Sequence, residues 1–188
     1  NGISLYEQSK AVFKLLNSGF DFIREEGKPS IHIDFIDYEN TDNNQFKVVN
    51  QFEVIDQHNR IPDLLIFING IPVVIFEFKS AIKENTTMED AWRQIYIRYQ
   101  RDIPKLLKYT MLSVISDGAN SKLGSVFTPY DYYYAWRKIN AGDKVTDGVR
   151  ALNVMIQGAF AKDRLLAILR DFVFYPDDIS AESPIVCR

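Results

Sequence analysis

Cysteine is all but absent from this chain: Cys187 stands alone among 188 residues. That excludes a disulfide framework and a cysteine-rich zinc site, and it fits a reducing compartment. Histidine is nearly as scarce. His32 and His58 lie far apart, without partners at ligand spacing, so neither is assigned chemistry. An excess of positive charge is missing too. Lys and Arg total 22 against 25 Asp and Glu, a formal charge of −3, with an isoelectric point near 5.4. That argues against a protein whose main business is coating nucleic acid or an anionic membrane through bulk charge. It leaves room for an enzyme that grips nucleic acid through a metal, a local patch or another domain.

Long uninterrupted apolar runs are also lacking. The most apolar stretch, residues 61–78, contains Asp63, Asn69, Gly70 and Glu77, so no membrane span is expected. The chain does not open on a cationic segment followed by an apolar one, so no signal peptide is expected, and a cytoplasmic location is. Gly118–Gly124 lacks the Gly-Lys-Ser/Thr order of a phosphate loop, so no nucleotide site is expected there. Internal repeats and low-complexity tracts are missing.

What remains is 46% apolar and 25% charged, the balance of a globular chain of one domain. Residues 4–17 space Leu5, Val12, Leu15 and Leu16 along one helical face, with Ser4 as N-cap. Ile31, Ile33 and Phe35 alternate like a short strand. Residues 46–55 read as one longer strand, and residues 56–60 as a loop. Two apolar runs, 63–68 and 72–79, flank Asn69-Gly70-Ile71, a strong hairpin signal. Both are apolar on consecutive residues, so both belong in the middle of a sheet. Thr86-Thr-Met-Glu89 reads as a capping box that opens a helix with the stripe Met88, Ala91, Trp92, Ile95 and Tyr99. A short helix from Pro104, a strand over 111–116 and helices over 149–157 and 161–173 complete the order. Residues 127–135, aromatic-rich through Tyr130–Tyr134, are ambiguous; packing is favoured there over base stacking. The expectation is an α/β fold with a mixed central sheet flanked by helices. Its core spans about 4–136, with C-terminal helices over about 149–175 packing on it or leading onward.

The chemistry is concentrated between Pro62 and Lys79. Asp63 and Glu77, 14 positions apart, sit in runs so apolar that their charges need pairing, hydrogen bonds or a metal. Glu77 and Lys79 share one strand face, because side chains repeat every two residues. Two carboxylates and the backbone carbonyl of the intervening Phe78 offer hard oxygen ligands for Mg²⁺, with Mn²⁺ able to substitute. A lysine beside them can orient or deprotonate a water and balance phosphate charge. The bland alternative is a salt bridge between neighbouring strands. Geometry separates the two. A regular two-residue hairpin loop at Asn69-Gly70 sets residue 63 opposite 76 and turns Asp63 away from Glu77. A three-residue loop, or a bulge near Pro62 or Pro72, sets 63 opposite 77. On the helix, Gln94, Arg98 and Arg101 recur at spacings of four and three along one flank, in reach of a DNA backbone or simply solvated.

Pro62-Asp63…Glu77-x-Lys79 is similar to the PD-(D/E)xK nuclease signature. More specifically, NQFKVVNQFEV, NRIPDLLIFINGIPVVIFEFKSA and YQRDIPKLLKYTMLSVISDG resemble the N-terminal nuclease region of the R (restriction, motor) subunit of type I restriction-modification enzymes. The resemblance covers roughly residues 40–125 and implies a restriction-endonuclease-like core, with residues 1–188 forming a single endonuclease domain. It implies Asp63 and Glu77 as metal ligands, Lys79 as the catalytic lysine, and Gln94 as a catalytic glutamine on the following helix. The family carries a tyrosine four residues after that glutamine. Here position 98 is arginine, and Tyr99 is the preferred candidate over Tyr96, because it precedes Ile103-Pro104 at the family's usual interval. The resemblance further implies double-stranded DNA as substrate, methyltransferase and specificity subunits as partners, and ATP only for a motor region outside these residues. The alternatives are a stand-alone repair or mobile-element nuclease, and a catalytically idle DNA-binding or interaction module.

Overall fold

The computed structural model describes residues 2–79 and 86–176, and all structural statements refer to them. Helix α1 (Leu5–Ser18) starts where the Ser4 hydroxyl accepts the Glu7 N–H at 3.2 Å. It ends at Gly19, whose φ of 58° lets the chain reverse against the Ile33 carbonyl, where a Cβ would collide. A two-stranded ribbon follows: β1 (Phe20–Phe22) pairs antiparallel with β2 (Ile31–Ile33). The alternation at 31–35 pointed to β2; its partner β1 had no clear signal.

The expected single strand over 46–55 is two strands. Gln51 adopts φ +51°, which ends β3 (Phe46–Asn50) and turns β4 (Val54–Ile55) away. Neither Gly nor Pro interrupts that run, so nothing in it announced the break. The stretch read as a loop contains β5 (Asn59–Arg60), which forms a small hairpin with β4.

The main sheet continues with β6 (Leu64–Ile68), β7 (Ile71–Phe78), β8 (Leu112–Ser116) and β9 (Ser121–Gly124), in the spatial order β3-β6-β7-β8-β9. Only the β7–β8 pair is parallel, so the sheet is mixed. β7 is the middle strand and is buried on consecutive residues, as its unbroken apolar run requires.

The β6–β7 turn decides the site. Ile68 pairs with Ile71, so the loop has two residues, Asn69 (φ 51°) and Gly70 (φ 83°). The three-residue alternative is therefore wrong, but the bulge alternative is right. Phe67 pairs with Pro72 while Ile66 pairs with Val74, leaving Val73 as the extra residue next to Pro72. From there Leu64 faces Phe76, and the same register carried one residue further sets Asp63 across from Glu77.

One face of the sheet (Ile66, Ile68, Val74, Phe76, Leu112, Val114) packs on α1 and on two helices near the C-terminal end of the described residues. The other face (Leu65, Ile75, Ile115) is covered by α2 (Met88–Arg93), a π-helical turn over Gln94–Tyr99, α3 (Gln100–Asp102) and α4 (Pro104–Leu107). The capping box that opens α2 is Thr87 with Asp90, one residue later than Thr86 with Glu89. The Asp90 carboxylate accepts the Thr87 N–H at 2.7 Å, and Thr87 Oγ1 accepts the Asp90 N–H at 3.3 Å. α5 (Ala151–Ala159) and α6 (Lys162–Asp171) contribute Met155, Leu165 and Leu169 to the first core, so they share it with the sheet. Around Tyr130–Tyr134, Tyr133 is buried with its hydroxyl 2.6 Å from Ser113 Oγ, while Tyr132 and Tyr134 are exposed. Among the described residues, no helix is long and apolar enough to cross a membrane.

Gly70 holds the left-handed position of the β6–β7 turn, where a β-branched side chain is strained even with open space around it. Gly70→Val should lower the unfolding free energy by about 1–2 kcal/mol, read by urea denaturation. An unchanged midpoint would mean that the turn changes type freely.

Candidate active site

Glu77 lies on the same face of β7 as Ile75, one residue pair closer to the C-terminal end, beneath the α2–α3 helical segment. Its side chain is buried, with 2% exposure. A lone carboxylate there is costly, and the structure surrounds it with donors. Lys79 Nζ donates to Glu77 Oε1 at 2.9 Å and to Gln94 Oε1 at 2.7 Å. Because the Gln94 oxygen faces that ammonium, its Nε2 faces the other way and donates to the Tyr99 hydroxyl oxygen at 2.7 Å. The Tyr99 proton is then free for Glu77 Oε2, 3.0 Å away. The four side chains close a ring whose directions are all set by the one lysine charge.

The π-helical turn makes this ring possible. Residues five apart point about 140° away from each other on a regular α-helix. Over Gln94–Tyr99 the helix widens to the i, i+5 repeat, and Gln94 and Tyr99 come onto one face. That answers which tyrosine stands beside Gln94 when position 98 is arginine: Tyr99 is joined to Gln94, while Tyr96 stacks on Trp92 with ring centroids 4.7 Å apart.

Asp63 stands on the neighbouring strand. Its Oδ2 accepts the Phe78 N–H at 2.7 Å, tying it to the strand that carries Glu77 and Lys79. Its Oδ1 accepts from Gln51 Nε2 at 3.3 Å, and its main-chain carbonyl accepts the Gln51 N–H at 3.0 Å. Gln51 thus grips Asp63 twice from a left-handed backbone conformation, one that non-glycine residues hold at a cost. Sequence reading missed Gln51, since a positive φ leaves no composition signal when the residue is not glycine.

Burial pushes the Glu77 carboxyl up to about 7, with the Asp63 charge adding to the rise and the hydrogen bonds from Lys79 and Tyr99 opposing it. Burial likewise raises the Tyr99 hydroxyl well above its ordinary value, with the Glu77 charge adding to it, which keeps its proton in place as a donor. Two carboxylates whose charges interact this way suit a divalent cation. Among the described residues, no group of three or more His, Cys, Asp or Glu side chains is placed to hold a metal. A cation bound by Asp63 and Glu77 would therefore take further oxygens from main chain, water or phosphate, a ligand set that Mg²⁺ accepts.

Beside the ring lies a cleft of about 490 Å³ lined by Lys79, Asp90, Arg93, Gln94, Ile97, Arg98 and Arg101. Its lining has four cations and one acid, and Lys79, Arg93 and Arg101 are each paired with a further acid, Glu77, Glu89 and Asp102. The structure thus brings Gln94, Arg98 and Arg101 to one cleft with Lys79. Ser116-Asp117-Gly118 is a strand-ending turn: Asp117 Oδ1 accepts the N–H groups of Ala119 and Asn120, and Gly118 has φ 87°. The two histidines do have partners. His32 contacts Asp21 and Asp34 on the surface, and His58 contacts the buried Asp102.

The sequence model of the family described as Type I restriction enzyme R protein N terminus matches residues 1–132. This chain belongs to that family. It is 33% identical, over 89% of its length, to a Methanocaldococcus jannaschii protein named as a candidate MjaIXP endonuclease subunit of a type I restriction enzyme, and spans 18% of that relative. It is 29% identical, over 93% of its length, to the type I restriction enzyme HindI endonuclease subunit of Haemophilus influenzae, and spans 17% of it. The type I restriction enzyme EcoprrI endonuclease subunit of Escherichia coli is 30% identical over 63% of this chain. The chain thus spans less than a fifth of the length of the first two relatives.

The raised Glu77 carboxyl has a consequence for stability. Folded protein keeps a proton there that the unfolded chain releases above its ordinary value of 4.5. Stability of metal-free protein should therefore fall as pH rises from 4.5 to about 7, then level off. Glu77→Gln should flatten that window and stabilise the protein at pH 8 by about 3 kcal/mol. Denaturation midpoints in EDTA between pH 5 and 8 read this; a slope that survives in the variant would place the titration on another group.

Proposed function

We propose that this chain is the endonuclease portion of a type I restriction enzyme R subunit, and that it hydrolyses phosphodiester bonds of double-stranded DNA with Mg²⁺. The observation that carries the reading is the closed ring of Glu77, Lys79, Gln94 and Tyr99, with Asp63 tied to the same strand. A purely structural salt bridge here would need only Lys79 and one carboxylate, Glu77 on its own strand or Asp63 on the neighbouring one. It would not require Gln94 to orient the lysine, nor a π-helical turn to bring Tyr99 onto the second carboxylate oxygen. Kinship with proteins named as endonuclease subunits of type I restriction enzymes supports the same reading.

Asp63 and Glu77, with the Phe78 carbonyl between Glu77 and Lys79, would hold the cation. When bound, Mg²⁺ or Mn²⁺ supplies Lewis acidity toward a phosphoryl oxygen and lowers the pKa of a water. Lys79 spends two donors on Glu77 and Gln94 and aims its third at the attacking water or a non-bridging phosphate oxygen. Gln94 fixes the direction of that ammonium, and Tyr99 holds the far oxygen of Glu77 still. Arg98 and Arg101, with Gln94, line the cleft into which the strand backbone would fit. By its kinship, the protein would work with methyltransferase and specificity subunits in the cytoplasm, with ATP used by the motor portion of the longer polypeptide.

The assembled enzyme carrying Asp63→Ala or Lys79→Ala should lose cleavage of plasmid DNA in Mg²⁺ by about a hundredfold or more, while ATP hydrolysis continues. Wild-type cutting should stop in EDTA. Normal cutting by the Asp63→Ala enzyme would sink the assignment, and an idle module would show no cutting that depends on these residues.

A further inference from the structure

The acid with the most cationic neighbours in the described structure lies outside the ring. Asp102, at the end of α3, is fully buried. Arg60 donates to its Oδ2 from Nε at 2.8 Å and holds it from Nη2 at 2.6 Å. Arg101 donates to Oδ1 from Nε at 2.7 Å and to Oδ2 from Nη2 at 3.2 Å. His58 Nδ1 lies 3.1 Å from Oδ1, and the His58 N–H donates to the Asp102 carbonyl at 3.1 Å. The Arg101 hydrogen bonds, ahead of those from Arg60, hold the Asp102 carboxyl far below the ordinary carboxylate range against the cost of burial.

One carboxylate therefore orders two guanidinium groups and an imidazole, and the cluster keeps a net positive charge. Arg101 and His58 remain 64% and 61% exposed and Arg60 32%, with Arg60 Nη1 also donating to the Asn59 carbonyl at 2.9 Å, so each turns an edge to solvent, Arg60 the smallest. The β4–β5 hairpin that carries His58 and Arg60 is latched a second time. The buried Asp56 accepts the Lys105 N–H at 2.9 Å and pairs with Lys105 Nζ at 3.0 Å. This rigid arm joins the reacting groups at both ends: Arg60 lies three residues before Asp63, and Asp102 three residues after Tyr99. Arg101 belongs to both the cluster and the cleft that holds Lys79 and Gln94. Arg101 thus links the basic side chains of the cleft, Lys79 and Arg98, to Arg60 on the hairpin.

We propose that the β4–β5 hairpin is the second wall of the DNA groove, with Arg60 and Arg101, oriented by Asp102, contacting successive backbone phosphates beside the strand to be cut. The inference rests on the nuclease reading for the position of the scissile bond, but its test does not. An arginine held by its Nε edge presents the remaining N–H donors in a fixed plane, which is the geometry that phosphate oxygens accept. Asp102 is then a positioning residue that acts through the two arginines.

The test uses the full-length subunit, a short labelled duplex DNA and EDTA, so that no strand is cut. Dissociation constants are measured by fluorescence anisotropy across a salt series. Arg60→Gln and Arg101→Gln should each weaken binding and reduce the slope of log K against log salt by about 0.9, one phosphate contact. Arg60→Lys should restore most of the slope, because the charge returns. Arg60→Gln combined with Asp102→Asn leaves no unpaired buried carboxylate; it should melt near the wild-type temperature and still show the reduced slope. A slope unchanged in that folded double variant, or a wild-type subunit whose binding does not respond to salt, would overturn the proposal and leave the cluster a structural latch. Loss of cutting without loss of slope, as expected for Asp63→Ala, which removes no cation, separates failure of the catalytic reading from failure of this one.

Discussion

Burying the Glu77 carboxylate under a helix is the constraint on which the site depends. An acid in that position, in the middle strand of the sheet, must be paired, hydrogen-bonded or protonated. The structure supplies each in part: an ammonium two residues along the strand, a tyrosine hydroxyl from the covering helix, and a carboxyl poised near 7. Two departures from regular geometry serve that need. The extra residue at Val73 turns Asp63 to the Glu77 register, and the π-helical turn rotates Tyr99 toward Gln94. Bulges and π-turns each cost regular hydrogen bonding, and they persist here where the surrounding structure over-determines them.

The same logic recurs at Asp102, at the other end of the helical segment. There the buried acid is met by arginines instead of a lysine, and the result is a lowered carboxyl, not a raised one. The contrast is one of neighbours. Two guanidinium groups reach Asp102 with several donors, whereas Glu77 shares a single ammonium with Gln94 and feels the charge of Asp63. One acid is locked in its charged form and holds its cations still. The other is left close to the balance between forms, where a bound cation would tip it to the carboxylate. Charge of this kind is local, and a net of −3 says little about it.

Much of the fold was legible. Consecutive apolar residues located β6, β7 and β8; Asn69-Gly70 located the hairpin; Ser4 and the Thr-rich stretch located two helix starts, the second within one residue. Asp63, Glu77 and Lys79 stood out because charge in an apolar strand is expensive. Other features left no trace. The left-handed turn at Gln51, the partner strand at Phe20–Phe22 and the pairing of Asn59-Arg60 depend on contacts with distant segments. The hairpin arithmetic was legible only as a choice, because loop length and bulge position trade against each other at fixed sequence. His58 showed no partner at ligand spacing, since Asp102 lies 44 positions away.

What the sequence determined alone was therefore the set of elements, the apolar faces, the pair of acids with their lysine, and the family resemblance that the family match bears out. These follow from local periodicity and from the cost of burying charge, both properties of a chain read one segment at a time. Tertiary structure decided which way each charge points. It placed Asp63 opposite Glu77 through one extra residue, chose Tyr99 over Tyr96 through one widened turn, and gathered His58, Arg60 and Arg101 around Asp102. Side-chain direction changes by half a turn for each residue of strand register and by about 100° for each residue of helix. A single-residue irregularity, invisible in composition, is therefore enough to assemble a site or to scatter it.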